Sequence, residues 1–169
     1  PGVVTTRQGI TPAGVQTVFD GRVYGLTFGR TSSELWVLTA GATGAGQIHA
    51  YRLDWRSNQT LARLSSEGTA GLQGIQYDRS KDRVLIGNVT RSTNKVRLLT
   101  SENGNLRTVA DALGGFTTGA LAHNERVAVL PLIYDNKLAI VDLTDGRVVS
   151  SLPTGIAPFG GVINKEGTL

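Results

Sequence analysis

One cycle of short strands and turns runs through this chain three times and opens a fourth. Each cycle begins with a glycine and a brief apolar strand: Gly25–Phe28, Gly74–Tyr77, Gly119–Ala122 and Gly161–Asn164. A polar turn follows, at Gly29–Glu34, Asp78–Arg83, His123–Arg126 and Lys165–Thr168. A more continuous apolar strand comes next, at Leu35–Leu38, Val84–Ile86 and Val127–Leu130, with its fourth copy starting at Leu169. A third strand alternates polar and apolar residues: Ile48–Tyr51, Val96–Leu99 and Leu138–Val141. The fourth strands are more polar: Thr60–Leu64, Leu106–Val109 and Val148–Leu152. Asn103-Gly104 and Asp145-Gly146 are two-residue hairpin signals, because such pairs accept the positive φ of the tight turn.

Leu35, Val84, Val127 and Leu169 mark the same point of successive cycles, at spacings of 49, 43 and 42 residues. Four short strands per unit at that period predict β-propeller blades. The grading of the strands agrees with this. Inner strands buried on both faces read as apolar runs, and outer strands that meet water alternate. Glycine makes up 22 of the 169 residues, about twice the usual share of roughly 7%. Glycines at the first strands suit close backbone approach near an axis. No window of helical periodicity is sustained, and Thr108–Leu113 has room for one helical turn at most. The period is too long for leucine-rich repeats, and HEAT or armadillo units need helices. A β-sandwich of short strands is the rival architecture.

The predicted fold is therefore all-β, a propeller of about three four-stranded blades plus parts of two others. The blade units are 21–65, 70–110, 115–153 and a partial 156–169. Residues 1–20 form a lead-in whose Val15–Phe19 stretch reads as a strand completing a closing blade. Fewer than four blades fall short of a ring, so the chain is expected to be a piece of a longer protein. No charged region followed by an apolar one marks a signal peptide at Pro1. No apolar run is long enough for a membrane-spanning helix.

The residues 142–149 (Asp-Leu-Thr-Asp-Gly-Arg-Val-Val) and 152–162 (Leu-Pro-Thr-Gly-Ile-Ala-Pro-Phe-Gly-Gly-Val) resemble the unit of YVTN-type propellers, the lactonase-like, YncE-like seven-bladed repeat proteins of bacteria and archaea. Residues 119–169 carry the likeness well and residues 21–118 more loosely. The second strands depart from it, reading Leu-Trp-Val-Leu, Val-Leu-Ile-Gly and Val-Ala-Val-Leu in place of Tyr-Val-Thr-Asn. The opening, Gly9-Ile10-Thr11-Pro12-Ala13-Gly14 through Phe19-Asp20-Gly21-Arg22, is similar to the start of such propellers, including ones fused to an alkaline-phosphatase-like phosphoesterase domain. The resemblance implies a seven-bladed ring and a periplasmic or extracytoplasmic location.

Composition closes off several chemistries. The absence of cysteine excludes disulfides, thiolate zinc sites, cysteine nucleophiles and iron–sulfur clusters within this chain. The net charge of +4 is spread evenly, and the densest basic group, Arg79, Lys81 and Arg83, is interleaved with Asp78 and Asp82. No basic arm for nucleic acid is visible. Gly41–Gly46 is the loop most like a phosphate cradle, but a strand follows it where a cradle needs a helix N-terminus. His49 and His123, the two histidines, lie 74 residues apart with no metal-binding pair motif. No nucleophile elbow surrounds Ser65, Ser66, Ser80, Ser150 or Ser151, and a Ser-His-Asp triad could form only in space. Asp142 and Asp145 read as turn residues. Asn58 and Asn88 match the glycosylation pattern by chance.

Residues that lead into the first strands should face a central channel: Arg22, Val23, Tyr24, Leu72, Gln73, Phe116, Thr117, Thr118, Pro158 and Phe159. None is acidic, which speaks against a metal-dependent lactonase centre in these blades. Arg22, Tyr24, Gln73, Thr118 and Phe159 are the candidate binding surface. The expected role is a non-catalytic scaffold and binding module of a larger protein, with no catalytic residue, metal or cofactor assigned. Its partners would be other blades or domains of the same parent, and a small molecule or protein. The rivals are a lactonase-like hydrolase with a channel site, a propeller fused to a phosphoesterase domain outside this chain, and a single-stranded nucleic-acid binder using Arg22, Tyr24 and Phe159.

Overall fold

The computed structural model describes residues 14–41 and 46–164, together with the backbone of 2–3 and 9–10. The Gly41–Gly46 loop lies largely outside the described residues, as do the turn at 165–168, the fourth-cycle strand start at Leu169, and Thr11–Ala13 of the opening. A short antiparallel pair joins β1 (Gly2–Val3) to β2 (Gly9–Ile10). Three four-stranded antiparallel sheets follow, each a simple meander in chain order. The first holds β3 (Arg22–Phe28), β4 (Glu34–Ala40), β5 (Gln47–Asp54) and β6 (Gln59–Glu67). The second holds β7 (Thr69–Asp78), β8 (Arg83–Val89), β9 (Val96–Glu102) and β10 (Asn105–Ala110). The third holds β11 (Ala122–His123), β12 (Val127–Leu132), β13 (Lys137–Asp142) and β14 (Val148–Pro153). The one helix among the described residues is a 3-10 turn at Ile133–Asp135.

Side-chain alternation explains how the sheets stack. In β4, Trp36, Leu38 and Ala40 point to one face and meet Ile75, Val84, Ile86 and Leu99 of the second sheet. In β8 and β9, Leu85 and Leu98 point the other way and meet Leu121, Ala128, Leu130 and Val141 of the third. The middle strands of the second sheet are thus covered by a neighbouring sheet on both faces, so their sequences are continuous apolar runs. Fully burying one such aliphatic side chain contributes about 1.5–3 kcal/mol. This corrects the alternation expected of β5, where Ile48, His49, Ala50 and Tyr51 are all buried.

The far face of the first sheet carries Val37, Tyr51 and Leu53, with Leu35 and Phe19 against them. No neighbouring sheet covers it among the described residues, and Leu26 and Phe28 of β3 stay 59% and 62% exposed. Val15–Phe19 forms no strand there. Gln16 to Asp20 lies along the first sheet instead, with the Phe19 ring 5.1 Å from that of Tyr51 and Asn58 Nδ2 donating to the Gln16 carbonyl. Residues 161–164 likewise form no strand, because they find no ladder partner among the described residues. Only Gly160 bridges, in parallel, to Ala120. Thr108–Ala110 end β10 rather than starting a helical turn. Asn103 (φ 49°) and Gly104 (φ 76°) make the tight turn their sequence predicts.

At the innermost strands the sheets meet backbone to backbone. Residues 71–74 bulge out of β7 between the pairs Ala70–Asn88 and Ile75–Ile86. The Leu72 amide donates to the Thr118 carbonyl at 3.0 Å. A Cβ at Gly71 or at Gly87 would stand 2.5 or 2.7 Å from the Thr118 methyl, so glycine is what lets the third sheet approach the second.

Candidate functional site

Because every sheet is a meander, its connections fall alternately at two ends. The β4–β5, β6–β7, β8–β9, β10–β11 and β12–β13 connections share the upper end, and the hairpins β3–β4, β5–β6, β7–β8, β9–β10, β11–β12 and β13–β14 share the lower one. At the upper end an uncharged groove of about 610 Å3 is lined by Tyr24, Thr69, Ala70, Leu72, Phe116, Thr117 and Tyr134. The Phe116 and Tyr134 rings meet edge to face at 6.0 Å. They are 66% and 69% exposed. Phe116 sits at φ 65°, a left-handed conformation uncommon for a bulky residue. The Phe116 amide donates to the Asn94 carbonyl at 2.8 Å, and the Gly115 amide donates to Asp135 Oδ2. The loop is held in place while its aromatic side chain faces water.

The five residues expected to form a binding surface fall in different settings. Tyr24 is half-buried and lines this groove as well as a second hollow of about 420 Å3. Gln73, at φ 52°, lines that second hollow beside Tyr24. Arg22 is exposed at the start of β3. Phe159 is half-exposed, and its carbonyl accepts the Ala120 amide at 2.7 Å. Thr118 is fully buried, wedged against Gly71 and Gly87, so its side chain fills the seam between sheets rather than facing a ligand. Tyr134 was missed because it lies on a connection between the second and third strands of a cycle, not in the turns leading into first strands. Its only signal was an aromatic beside Asp135-Asn136 in the connection 133–136.

A serine and a histidine do meet in space. His49 on β5 pairs across the ladder with Ser65 on β6, and His49 Nδ1 lies 2.8 Å from Ser65 Oγ. Asp20 Oδ2 is 3.5 Å from His49 Nε2. Arg63 intervenes, its Nη2 lying 3.0 Å from Nε2 and 3.1 Å from Asp20 Oδ2. A guanidinium can only donate, so Nε2 is the accepting nitrogen and Nδ1 carries the proton. The imidazole then donates to Ser65, whereas a serine nucleophile needs the ring to accept its proton. Burial and the Arg63 charge hold His49 below its ordinary pKa against the opposing pull of Asp20, so the ring is neutral at pH 7. This is a structural network joining the lead-in to the first sheet.

His123 is half-buried, with Nε2 3.2 Å from the Tyr77 carbonyl. Asn88 is buried, and its side-chain amide donates to the Glu67 and Thr69 carbonyls, so it is no glycan acceptor. Among the described residues no group of three or more His, Asp or Glu is placed to hold a metal ion.

No protein-family model matches the sequence, and no curated protein does. Solved structures do. Kuenenia stuttgartiensis hydrazine synthase superposes with a TM-score of 0.65 at 12% identity, over 84% of this chain and 53% of that one. A nidogen/laminin complex gives 0.58 at 12% identity, over 85% and 69%. The Cps50 (Swd1) β-propeller domain of Myceliophteria thermophila gives 0.55 at 13% identity, over 83% and 46%. The fold is a β-propeller. The three sheets are its blades, and the chain spans about half the length of the hydrazine synthase chain it matches. The inner seam of the propeller is where Gly71, Gly87 and Thr118 interlock, and the aromatic groove opens at the upper end of the first three inner strands.

Proposed function

We propose that this chain is a recognition module: propeller blades of a larger protein that hold a protein segment in the upper groove and perform no bond chemistry there. The observation that carries this reading is the Phe116–Tyr134 pair. Large aromatic rings cost free energy to expose, and rigidly presented aromatic residues are what protein interfaces use as anchors. An uncharged lining suits an apolar or aromatic segment better than a charged one. One fold neighbour is a complex of two proteins, nidogen with laminin, which supports protein recognition as the role carried over. The further blades of the parent would cover the exposed face of the first sheet at Leu26 and Phe28. The YVTN-type, lactonase-like seven-bladed assignment, and with it an extracytoplasmic location, rests on the repeat motifs of residues 119–169.

The hydrolase reading gains no support from Ser65, because its histidine faces it with a proton rather than a lone pair. A phosphoesterase domain elsewhere in the parent is compatible with the module and independent of it.

A random peptide library displayed on phage and selected on this chain tests the proposal. The expected result is a set of peptides with apolar or aromatic positions whose binding falls at least tenfold with Phe116→Ala or Tyr134→Ala. Peptides that bind both variants as they bind the parent chain would place recognition elsewhere.

A further inference from the structure

Beside the aromatic groove lies a hollow of about 420 Å3 that shares Tyr24 with it as a wall. Its volume falls within the roughly 300–1,000 Å3 of small-ligand sites. Val23, Ile75 and Ala120 give it apolar lining, and Gln73 and Gln76 give it two carboxamides. Neither carboxamide has a hydrogen-bond partner among the described residues, and the Tyr24 hydroxyl has none either.

The bulge of β7 places Gln73 there. Residues 71–74 leave the ladder with β8, and two consecutive residues of the bulge serve different spaces. Leu72 lines the groove and Gln73 lines the hollow. Gln73 adopts φ 52°, an uncommon conformation for a residue with a side chain. Two contacts hold it. The Leu72 amide donates to the Thr118 carbonyl at 3.0 Å, and a Cβ on Gly25 would stand only 3.0 Å from the Gln73 Cα. Bulges re-aim side chains. This one fixes the base of an exposed glutamine next to the groove. Gln76, half-buried opposite Leu85 on the regular part of β7, brings the second carboxamide.

A carboxamide donates and accepts at once, so its closest complement is another carboxamide, which meets it through two hydrogen bonds. An aliphatic side chain in the hollow would displace water from Gln73 and Gln76 and return no partner. A carboxylate could accept from both NH2 groups, but it would shed its hydration with no cation among the lining residues. Resting on the recognition reading above, we infer that the hollow holds an Asn or Gln side chain of the bound segment. Consecutive Cα atoms such as those of Leu72 and Gln73 are about 3.8 Å apart, and an extended segment advances about 3.3 Å per residue. The amide residue therefore stands one or two positions from the aromatic anchor.

Phage selection on the whole chain, followed by calorimetric titration of one selected peptide, tests this. Selected peptides should carry Asn or Gln one or two positions from an aromatic residue. Changing that amide residue to Ala should weaken binding about tenfold, the effect of a lost neutral hydrogen-bonded pair. On a chain carrying Gln73→Met and Gln76→Met, the same peptide change should have almost no effect. Phe116→Ala should still weaken binding to that double variant, which shows that its groove is intact. Peptides that depend on Phe116 but show no amide preference overturn the inference and leave the recognition reading standing. An amide whose contribution survives in the double variant overturns it as well. So does Asp or Glu at the fixed position, which would point to Arg22 at the start of β3. Peptides indifferent to both Phe116 and Tyr134 remove the recognition reading, and the inference with it.

Discussion

Arg63 Nη2 stands 3.0 Å from His49 Nε2, closer than the Asp20 carboxylate at 3.5 Å. The order of those two distances sets the tautomer of the ring, and it also sets a pH dependence. The charged groups facing His49 are Arg63 and Asp20. Burial and Arg63 outweigh Asp20, so the folded-state pKa lies below 6.5. A folded pKa below the unfolded one means that the unfolded chain binds the proton first as pH falls. The stability contributed by the neutral ring is complete above pH 6.5 and is lost progressively below it. Thermal unfolding midpoints measured from neutral pH downward should decline through this window. His49→Asn should flatten that decline whatever its own midpoint is. An unchanged slope in the variant would remove His49 as its source.

Asp78 adds a second, more acidic step. Burial pushes its carboxyl up, but hydrogen bonds from Ser80 and Arg83 outweigh this and hold it below 3.8. Its stabilisation is present above pH 3.8 and is lost as pH falls further. Ser80→Ala removes one of those donors, and should move this acid limb of the unfolding curve without moving the His49 limb.

Tyr77 gives the alkaline counterpart. Burial, the hydrogen bond to Asp82 and the Asp82 charge push its phenol up to about 12. The folded chain keeps this proton where the unfolded chain begins to lose it, so stability falls as pH rises above 10. Tyrosinate absorbance should show a step near pH 12 that Tyr77→Phe abolishes. A step that persists in the variant belongs to another ring.

The inner seam offers a steric test. A Cβ at Gly87 would lie 2.7 Å from Thr118 Cγ2 and 3.7 Å from its Oγ1, with no backbone atom among its nearest contacts. Gly87→Ala should cost about 1–3 kcal/mol, the range for overfilling a packed interior. Thr118→Ser removes only the obstructing methyl. The double variant should therefore be more stable than the sum of the two single changes implies, by chemical denaturation. Strict additivity would mean that the two residues do not meet.

How far the sequence foretold this molecule can be read from these same residues. The blade meander was legible because burial on both faces writes apolar runs at Leu35–Leu38, Val84–Ile86 and Val127–Leu130, while positive φ writes Asn-Gly at 103–104. The seam was legible only as a tendency: glycines at the first strands announced close backbone approach, but Gly71 and Gly87 were not among those singled out, and that Thr118 is what they admit depends on a contact across blades. The His49–Ser65 pairing was invisible as a motif, since the residues are 16 apart on adjacent strands and only the ladder register joins them. Val15–Phe19 forms no strand among the described residues, and its place in a closing blade depends on partner strands that these residues do not include. The groove was legible only in part. Tyr24, Leu72, Phe116 and Thr117 lie where the cycle places first-strand turns, whereas Tyr134 comes from the middle of a cycle.

The aromatic groove also makes a prediction about strain, separate from binding. Phe116 adopts φ 65°. A left-handed backbone costs a non-glycine residue about 1–2 kcal/mol, and glycine nearly nothing. Replacing Phe116 with either Ala or Gly deletes the same ring and the same edge-to-face contact with Tyr134. The two variants then differ mainly in the backbone term, offset in part by the greater unfolded-state entropy of glycine. Phe116→Gly should be more stable than Phe116→Ala by up to about 1 kcal/mol, although glycine is the poorer residue in regular structure. Both should lose binding of selected peptides equally. If the alanine variant matches or exceeds the glycine variant by denaturant titration, the loop relaxes out of the left-handed region once the ring is gone. The conformation would then be imposed by the ring's own contacts, and not by the hydrogen bond from the Phe116 amide to the Asn94 carbonyl.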